Sequence, residues 1–366
     1  MSGFDLIVVG AGIVGASCAD LAVRCGLRVA VVESGVPGGG VTAASMGHLV
    51  AMDDDPAELA LARLSQRLWE DFAALPEAEF SRCGTLWLAE TPTQLQRIPE
   101  RIARLAAAGI EAERLDARAL YACEPHLAPG LAGGMRVPRE AVVYPPRVAA
   151  WLLARAQADG AAVYRGRRAL ALAPGGVRLD DGTVLRGQVL VATGSDLPEL
   201  LPALPLSVRR GHLVITDRHP GLVRHQLLEL GYADSAHGDA DSSVAFNVQP
   251  RPSGQLLIGS SREQGRRERE VDPSMLRRML ERAFEFLPVL RGLQAIRAWT
   301  GLRPCTPDGR PYIGRVAGRP GVWVAAGHEG LGVTTAPGTA RLLLDLLLGQ
   351  PPAIDPAPYD PARVAA

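Results

Sequence analysis

Apolar runs and glycine turns alternate along the chain, and their order predicts the first elements. Residues 4–9 form a short run rich in β-branched side chains, typical of a parallel strand buried on both faces. Residues 16–22 have helical spacing, and the apolar run 29–32 predicts a second strand that ends on Glu33. A strand, a helix and a strand in this order indicate a βαβ unit with two parallel strands.

Hydrophobic periodicity predicts the later elements in the same way. Helices are predicted at residues 56–75, 92–108, 116–121, 145–158 and 273–286, and from residue 330 onward. Strands are predicted at residues 84–89, 133–137, 141–144, 161–164, 176–179, 183–185, 188–194, 211–216, 244–249, 255–259 and 322–326. The charged run 262–270 is predicted to be a solvated loop.

Alternating strands and helices occur in three segments of the chain, and two sheet-rich segments separate them. Because 366 residues exceed what one core usually holds, we expect two interleaved domains. The α/β domain is predicted to comprise residues 1–80, 145–205 and 300–366, and the other domain residues 81–144 and 206–299. The predicted fold class therefore combines an α/β domain with an α+β domain.

A G-x-G-x-x-G turn lies between the first strand and the first helix. Gly10 allows the tight turn, Gly12 lets the backbone approach a pyrophosphate, and Gly15 lets the helix pack closely on the strand. The helix N-terminus adds unpaired N–H groups and a positive dipole end. Glu33, at the tip of the second strand, can accept both hydroxyls of an adenosine ribose. This arrangement predicts a dinucleotide site, the alternative being an ordinary βαβ turn.

Two further segments carry small residues where backbone would meet such a ligand. The stretch 37–49 follows the ribose-binding tip and is predicted to lie against a flat cofactor; the alternative is a flexible loop. The strand that ends in Thr193 and Gly194 marks a second close approach of backbone to a nucleotide.

Composition excludes several other classes of protein. The 39 basic side chains balance 39 acidic ones, so charge gives no argument for a nucleic-acid partner or an anionic membrane. All 39 are arginine; without lysine, a Walker-type phosphate loop and a pyridoxal-phosphate Schiff base are excluded. Five cysteines without C-x-x-C spacing give no metal site, and no signal peptide or membrane span is recognisable. We therefore expect a cytoplasmic protein, with peripheral attachment to the inner membrane as an alternative.

Four segments in this order resemble the D-amino-acid oxidase superfamily of flavoproteins, over essentially the whole chain. They are residues 10–15 with Glu33, residues 189–194, residues 301–314 and residues 327–337. The layout is most similar to the glycine and sarcosine oxidase branch. Segments 42–54 and 247–259 also resemble those of bacterial D-hydroxyproline dehydrogenases, which oxidise cis-4-hydroxy-D-proline.

The resemblance implies a fold and a reaction. A Rossmann-type FAD domain would be interleaved with a sheet-rich substrate domain. The enzyme would oxidise a D-amino or secondary amino acid to the imino acid, by hydride transfer from Cα to flavin N5. The implied substrate is cis-4-hydroxy-D-proline or D-proline. The alternatives are an oxygen-dependent oxidase of glycine, sarcosine or another D-amino acid, and the FAD subunit of a multi-subunit amine dehydrogenase.

The resemblance also implies which residues hold FAD. The adenine edge would meet backbone at Ala169, the isoalloxazine would rest against residues 44–49, and the last helix would point its N-terminus at the flavin's N1–C2=O edge. The implied cofactor residues are Gly10, Gly12, Ile13, Val14, Gly15, Glu33, Ser34, Thr42, Ala43, Ala44, Met46, Gly47, His48, Leu49, Ala169, Thr193, Gly194, Gly301, Arg303, Gly330, Leu331, Gly332, Val333 and Thr334.

Three residues are implied to contact the substrate. Arg303 matches the family arginine whose planar fork clamps the substrate carboxylate; the alternative is a surface arginine that caps a turn. Asn247 stands where the family has a tyrosine, and period-two alternation puts Gln249 on the same face. This polar pair would hydrogen-bond a ring hydroxyl, unless it belongs to an exposed strand face.

The remaining expectations concern His48, the flavin linkage and the electron acceptor. His48 is interpreted as a ligand contact or a cation that favours electron transfer to oxygen, with a packed histidine as the alternative. Cys305 lies about one turn from the cysteine that tethers FAD in sarcosine oxidases, so FAD is expected to be non-covalent. Some relatives activate oxygen with a lysine that this chain lacks, which favours a quinone or a partner protein over oxygen. A homo-oligomer and a hetero-oligomeric dehydrogenase complex both remain open.

Overall fold

The computed structural model describes residues 3–231 and 241–364. The strands in this part of the chain are β1 (Leu6–Val9), β2 (Val29–Glu33), β3 (His48–Leu49), β4 (Thr85–Ala89), β5 (Glu113–Asp116), β6 (Gly133–Val137), β7 (Ala141–Val142), β8 (Ala162–Arg165), β9 (Ala169–Ala173), β10 (Gly176–Leu179), β11 (Val184–Arg186), β12 (Gln188–Val191), β13 (Ser207–Arg218), β14 (Gln226–Glu229), β15 (Ser242–Pro250), β16 (Gln255–Gln264), β17 (Ala295–Cys305), β18 (Tyr312–Arg315) and β19 (Val322–Ala326). The helices are α1 (Ile13–Arg24), α2 (Pro56–Trp69), α3 (Pro92–Ala107), α4 (Ala117–Cys123), α5 (Pro145–Ala158), α6 (Leu197–Leu200), α7 (Pro273–Phe286) and α8 (Gly332–Leu348).

A six-stranded sheet, in the order β18-β19-β12-β1-β2-β8, forms the nucleotide-binding half of the molecule. Its strands are parallel except for the antiparallel edge pair β18 and β19. Alternate residues of the central strand β1 enter two cores: Leu6 and Val8 pack with side chains of α1, α5 and α8, while Ile7 and Val9 pack with the small sheet of β9, β10 and β11. Burial on both faces explains the continuous apolar run at residues 4–9.

An eight-stranded sheet, in the order β17-β13-β16-β15-β14-β4-β6-β5, forms the other half. Its neighbours are antiparallel except for the parallel pair β4 and β14. Helix α7 covers one face, where Phe246 stacks on Phe286 at 4.5 Å between ring centroids. The mixed fold confirms the predicted class. We propose the interleaved domain boundaries on the same basis, because the strands of each sheet fall in the expected segments except that β17 crosses residue 300.

The charged run 262–270 differs from its prediction at its start. Arg262 and Glu263 are buried residues of β16 and not part of a solvated loop. Glu263 accepts two hydrogen bonds from the guanidinium of Arg210, from Nε at 2.7 Å and Nη2 at 2.8 Å. Paired charges of this kind can be buried because each one satisfies the other. The charge pattern along the sequence does not show which distant residue is the partner.

Glu58 in the first turn of α2 gives a prediction for stability. Burial raises the pKa of Glu58 to about 8, helped by the neighbouring carboxylates of Glu329 and Asp55. A raised pKa in the folded state stabilises the protein at acidic pH, and this contribution is lost as the pH rises from about 4.5 through 8. We therefore expect the melting temperature of the wild type to be roughly 5 °C lower at pH 8.5 than at pH 5.5, and Glu58→Gln to remove most of this difference.

Thermal unfolding of the wild type and of Glu58→Gln at pH 5.5 and pH 8.5 tests this expectation. The matched control is Glu281→Gln, which changes an exposed glutamate of α7 and should leave the pH dependence of wild type in place. A Glu58→Gln variant that keeps the full pH-dependent drop would contradict the assignment.

Candidate active site

A cavity of about 520 Å³ runs from the β1–α1 turn to the eight-stranded sheet. It is bounded by the α1 N-terminus, the tip of β2, the segment 39–48, part of β17 and the start of α8. The residues of the implied cofactor set that line it are Gly10, Gly12, Ile13, Val14, Glu33, Ser34, Thr42, Ala44, Met46, His48, Ala169, Thr193, Gly194, Gly301, Arg303, Gly330, Gly332 and Val333. The structure thus brings together residues that are more than 300 positions apart in the chain.

The glycine turn leaves room for a ligand because no side chain can occupy it. Gly10 has φ +102°, and a Cβ there would lie 2.5 Å from the carbonyl oxygen of Ala192. A Cβ on Gly15 would overlap the carbonyl oxygen of Gly10, so the third glycine packs α1 against the turn as predicted. Gly12 leads into α1 without a side-chain cap of its own, although the hydroxyl of Thr42 accepts a hydrogen bond from Ile13 N at 3.0 Å.

Glu33 is fixed at the cavity by two backbone hydrogen bonds. Its Oε2 accepts from Ala11 N and its Oε1 from Gly35 N, both at 2.7 Å. Each oxygen keeps lone-pair capacity for a further donor such as a ribose hydroxyl. Thr193 also lines the cavity, and its buried hydroxyl has no hydrogen-bond partner within the part of the chain that the structure describes. The glycine cradle, the acid at the tip of β2 and this orphaned hydroxyl fit the expected FAD.

His48 lies on β3 with its ring in the cavity wall. Burial, together with the positive charge of Arg303, lowers its pKa to about 4. The imidazole is therefore neutral at pH 7, which disfavours the cationic alternative. Its Nδ1 has no hydrogen-bond partner among the described residues, while its backbone carbonyl accepts from the hydroxyl of Thr334 at 2.9 Å. Thr334 thus ties α8 to β3 from behind the cavity.

Arg303 on β17 lies with its guanidinium flat against the backbone of Gly211 on β13. A Cβ at Gly211 would be only 2.6 Å from Nη2 and 2.7 Å from Cζ of the arginine. Nη1 donates to the carbonyl oxygen of Ser261 at 3.0 Å, and no carboxylate in residues 3–231 and 241–364 lies within 4.0 Å of the guanidinium. A half-buried arginine aimed into a cavity without an acidic partner is suited to bind a ligand carboxylate.

Gly211→Ala should push the Arg303 guanidinium out of this position. The clash falls on the mobile end of a side chain, so folding should be little affected while the carboxylate site is displaced. We expect the apparent KM for a substrate that carries a carboxylate to rise about tenfold, equal to roughly 1.4 kcal/mol. Steady-state kinetics and thermal unfolding measure the two effects, with Gly292→Ala, where a Cβ meets nothing within 4 Å, as the control. An unchanged KM in a folded Gly211→Ala protein would show that Arg303 does not depend on this contact.

Asn247 and Gln249 lie on β15 and are both completely buried, so the alternative of an exposed strand face is wrong. They do not line the cavity. The side-chain amide of Gln249 donates to the carbonyl oxygen of Met46, whereas neither polar side-chain atom of Asn247 has a hydrogen-bond partner in residues 3–231 and 241–364. Asn247 pairs in register with Gly259, where a Cβ would lie 3.1 Å from the sulfur of Met46. Met46, which does line the cavity, therefore lies against the strand pair that carries this amide.

The other implied cofactor residues lie behind the residues that line the cavity. Gly15, Ala43, Gly47, Leu49, Leu331 and Thr334 are not part of the cavity lining. Gly47, at φ +79°, packs where a Cβ would overlap the carbonyl oxygen of Val143. Leu49 and Leu331 lie in two hydrophobic clusters. Cys305 is also outside the lining, and burial raises the pKa of its thiol to about 12.

Sequence reasoning missed three residues of this site. Gly211 was only the first residue of a predicted strand, and its contact with Arg303 depends on the pairing of β13 with β17. Ser261 contributes a backbone carbonyl, which leaves no signal in a sequence. Glu329 lines the cavity, and an acid among the glycines of residues 327–332 was a signal that could have been followed.

The family model for FAD dependent oxidoreductases (DAO) matches residues 5–346 of the chain. The chain belongs to the FAD-dependent oxidoreductase family. A glycine oxidase of Pseudomonas aeruginosa is 31% identical over 98% of both chains. A D-amino acid dehydrogenase of Rhizorhabdus wittichii is 30% identical over 74% of this chain and 65% of its own. The crystal structure of glycine oxidase from Geobacillus kaustophilus superposes with a TM-score of 0.87 over the full length of both chains, at 26% identity.

Membership of this family makes FAD the cofactor, and confirms the predicted flavoenzyme fold and an oxidoreductase activity. Within the described residues, no helix has the length and the apolar character needed to cross a bilayer.

Proposed function

We propose that this FAD-dependent oxidoreductase oxidises the Cα–N bond of a D-amino or secondary amino acid to the imino acid. The observation that carries the proposal is the Arg303 guanidinium, which is held flat on Gly211 and has no acidic partner among the described residues, in the same cavity as the glycine cradle. A bidentate pair with the substrate carboxylate satisfies this arginine and orients the rest of the substrate. The amino-acid specificity in the names of the relatives from Pseudomonas aeruginosa and Rhizorhabdus wittichii supports the same substrate class.

When bound, FAD supplies the acceptor for the two electrons and the hydrogen removed from Cα. The chain's own residues position the reactants: Arg303 holds the carboxylate, and the neutral His48 offers Nδ1 as a hydrogen-bonding atom. The apolar side chains of Met46 and Leu213 in the lining exclude water from this end. Gly332 and Val333 bring the N-terminus of α8 to the cavity, where its positive dipole end stabilises negative charge.

Our preferred substrate is cis-4-hydroxy-D-proline or D-proline. The support is the resemblance of segments 42–54 and 247–259, together with Asn247. The buried amide of Asn247 has no partner among the described residues, and Asn247 pairs with Gly259, against which Met46 packs. A ring hydroxyl would satisfy part of that amide if Met46 moved aside. The second candidate is an oxygen-dependent glycine or sarcosine oxidase, favoured by the 31% identity to a glycine oxidase.

We also propose that the electron acceptor is not oxygen. The absence of lysine from the sequence favours a quinone or a partner protein over oxygen. A homo-oligomer, or the FAD subunit of a hetero-oligomeric dehydrogenase in the cytoplasm or on the inner membrane surface, is compatible with this acceptor.

An anaerobic screen of flavin bleaching tests the proposed function. The purified yellow protein is mixed with cis-4-hydroxy-D-proline, D-proline, other D-amino acids, glycine and sarcosine, and absorbance of the oxidised flavin is followed. We expect the fastest bleaching with cis-4-hydroxy-D-proline, and faster reoxidation by a soluble quinone than by oxygen. Fastest bleaching with glycine or sarcosine selects the second candidate, and a flavoprotein that none of these compounds bleaches rejects amino-acid oxidation.

A further inference from the structure

Glu329 occupies an unusual backbone position at the entry to α8. Its φ is +49°, in the left-handed region that glycine adopts readily and that other residues adopt at a cost. Glycines stand at positions 327, 330 and 332, yet this left-handed position carries a glutamate. Strain of this kind persists where a side chain is needed in one place, so the carboxylate is the feature to explain.

The carboxylate of Glu329 lines the cavity and is only half satisfied. Its Oε2 accepts from Gly330 N at 2.6 Å. Among the described residues, its buried Oε1 has no hydrogen-bond partner, because the nearest guanidinium atoms, Arg262 Nε and Arg209 Nη1, are 3.8 Å and 3.9 Å away. Burial alone would raise the pKa of Glu329, but Arg262 and Arg303 outweigh it and hold the pKa below its ordinary value. The cavity wall therefore carries an ionised carboxylate, one oxygen of which lacks a donor in the described part of the chain.

The backbone of Glu329 lies beside the strand that carries Arg303. Glu329 N donates to the carbonyl oxygen of Pro304 at 2.9 Å, which fixes the glutamate next to the residue that follows Arg303. No ion pair within 4.0 Å joins Glu329 to Arg303 in the described part of the chain, although each affects the other's electrostatic environment. A cation and an anion that face one cavity without touching match the two charged ends of an α-amino acid.

We propose that Glu329 is the specificity-determining residue that accepts a hydrogen bond from the substrate's amino group. The substrate carboxylate binds Arg303 and its amino nitrogen donates to Glu329 Oε1, which selects amino acids over the corresponding 2-hydroxy acids and cyclic ethers. This inference rests on the proposed function. The rival explanation is that Glu329 only balances the charges of Arg209, Arg262 and Arg303, in which case it would not distinguish an amine from an ether.

The test compares D-proline with (R)-tetrahydro-2-furoate, which carries a ring oxygen in place of the amino nitrogen. The Kd of D-proline comes from the concentration dependence of anaerobic flavin bleaching, and the Kd of the furoate from its perturbation of the flavin spectrum. We expect wild type to bind D-proline at least tenfold more tightly. In Glu329→Gln, the ratio of the Kd of the furoate to the Kd of D-proline should fall at least tenfold, while the furoate itself binds as tightly as to wild type or more tightly.

Glu79→Gln is the matched control, because Glu79 is the other left-handed glutamate of the described chain, at φ +46°, and also faces arginines, at 3.6 Å and 3.5 Å. It lies outside the cavity lining and should keep the wild-type ratio. Glu329→Asp retains the charge and should stay within threefold of wild type. Equal binding of the two ligands by wild type overturns the proposal without any variant, and so does an equal loss of both ligands in Glu329→Gln. If furoate binds but no amino acid competes with it or bleaches the flavin, the proposed function itself fails.

Discussion

Arg303→Ala is expected to raise the apparent KM for the amino-acid substrate about 100-fold and to lower kcat as well. The variant removes both donors of the bidentate pair and leaves a substrate carboxylate without a counter-charge in a partly enclosed cavity. A 100-fold effect corresponds to roughly 2.7 kcal/mol, within the range for a hydrogen-bonded charge pair that loses one partner. Turnover falls because the clamp also fixes the direction of the Cα–H bond. Steady-state kinetics measures both parameters, with the enzyme concentration taken from the amount of bound flavin.

Two further variants make the result specific. Arg303→Lys keeps the charge but not the fork, and we expect it to be impaired at least tenfold in kcat/KM. Arg297→Ala changes an exposed arginine of the same strand, β17, and should behave as wild type. If Arg303→Ala retained KM and kcat near wild type, the carboxylate clamp would have to be sought elsewhere in the cavity.

Gly15→Val is expected to yield a protein that has lost more than about 90% of its FAD. The added Cβ overlaps the carbonyl oxygen of Gly10, and because both atoms belong to or adjoin backbone, neither can rotate away. The turn must then open, or α1 must move off the sheet, and in either case the cradle for the pyrophosphate is disrupted. A shift of this kind at a buried helix also costs about 1–3 kcal/mol of stability. The ratio of absorbance at 450 nm to that at 280 nm in the purified protein reports flavin content.

The matched control is again Gly292→Ala, at a glycine with open space around it and an ordinary backbone. It should purify with the wild-type amount of FAD. Circular dichroism separates loss of the cofactor from loss of the fold. A yellow, stable Gly15→Val protein would mean that the α1 packing is looser than the structure indicates.

Much of the fold could be predicted from the chain because the relevant signals are local. The βαβ unit at residues 4–33 follows from an apolar run, a glycine turn and a helical pattern, and each needs only neighbouring residues. The hairpin of β15 and β16 was predicted from two apolar runs and a Pro- and Gly-containing turn. The same reasoning failed at the buried residues Arg262 and Glu263, because the partner of Glu263 is Arg210, more than 50 positions earlier in the chain.

The sequence by itself determined the FAD cradle, since the spacing of Gly10, Gly12 and Gly15 and the position of Glu33 are set along one short stretch of backbone. The tertiary structure alone decided the substrate end. The pairing of β13 with β17 lays Arg303 on Gly211, and the return of the chain to α8 brings Glu329 beside it. Period-two alternation put Asn247 and Gln249 on one face of β15, but only the packed sheet decided that this face is buried. The physical reason is that strand pairing and burial join residues far apart in the chain, and no local pattern records which partner a side chain will meet.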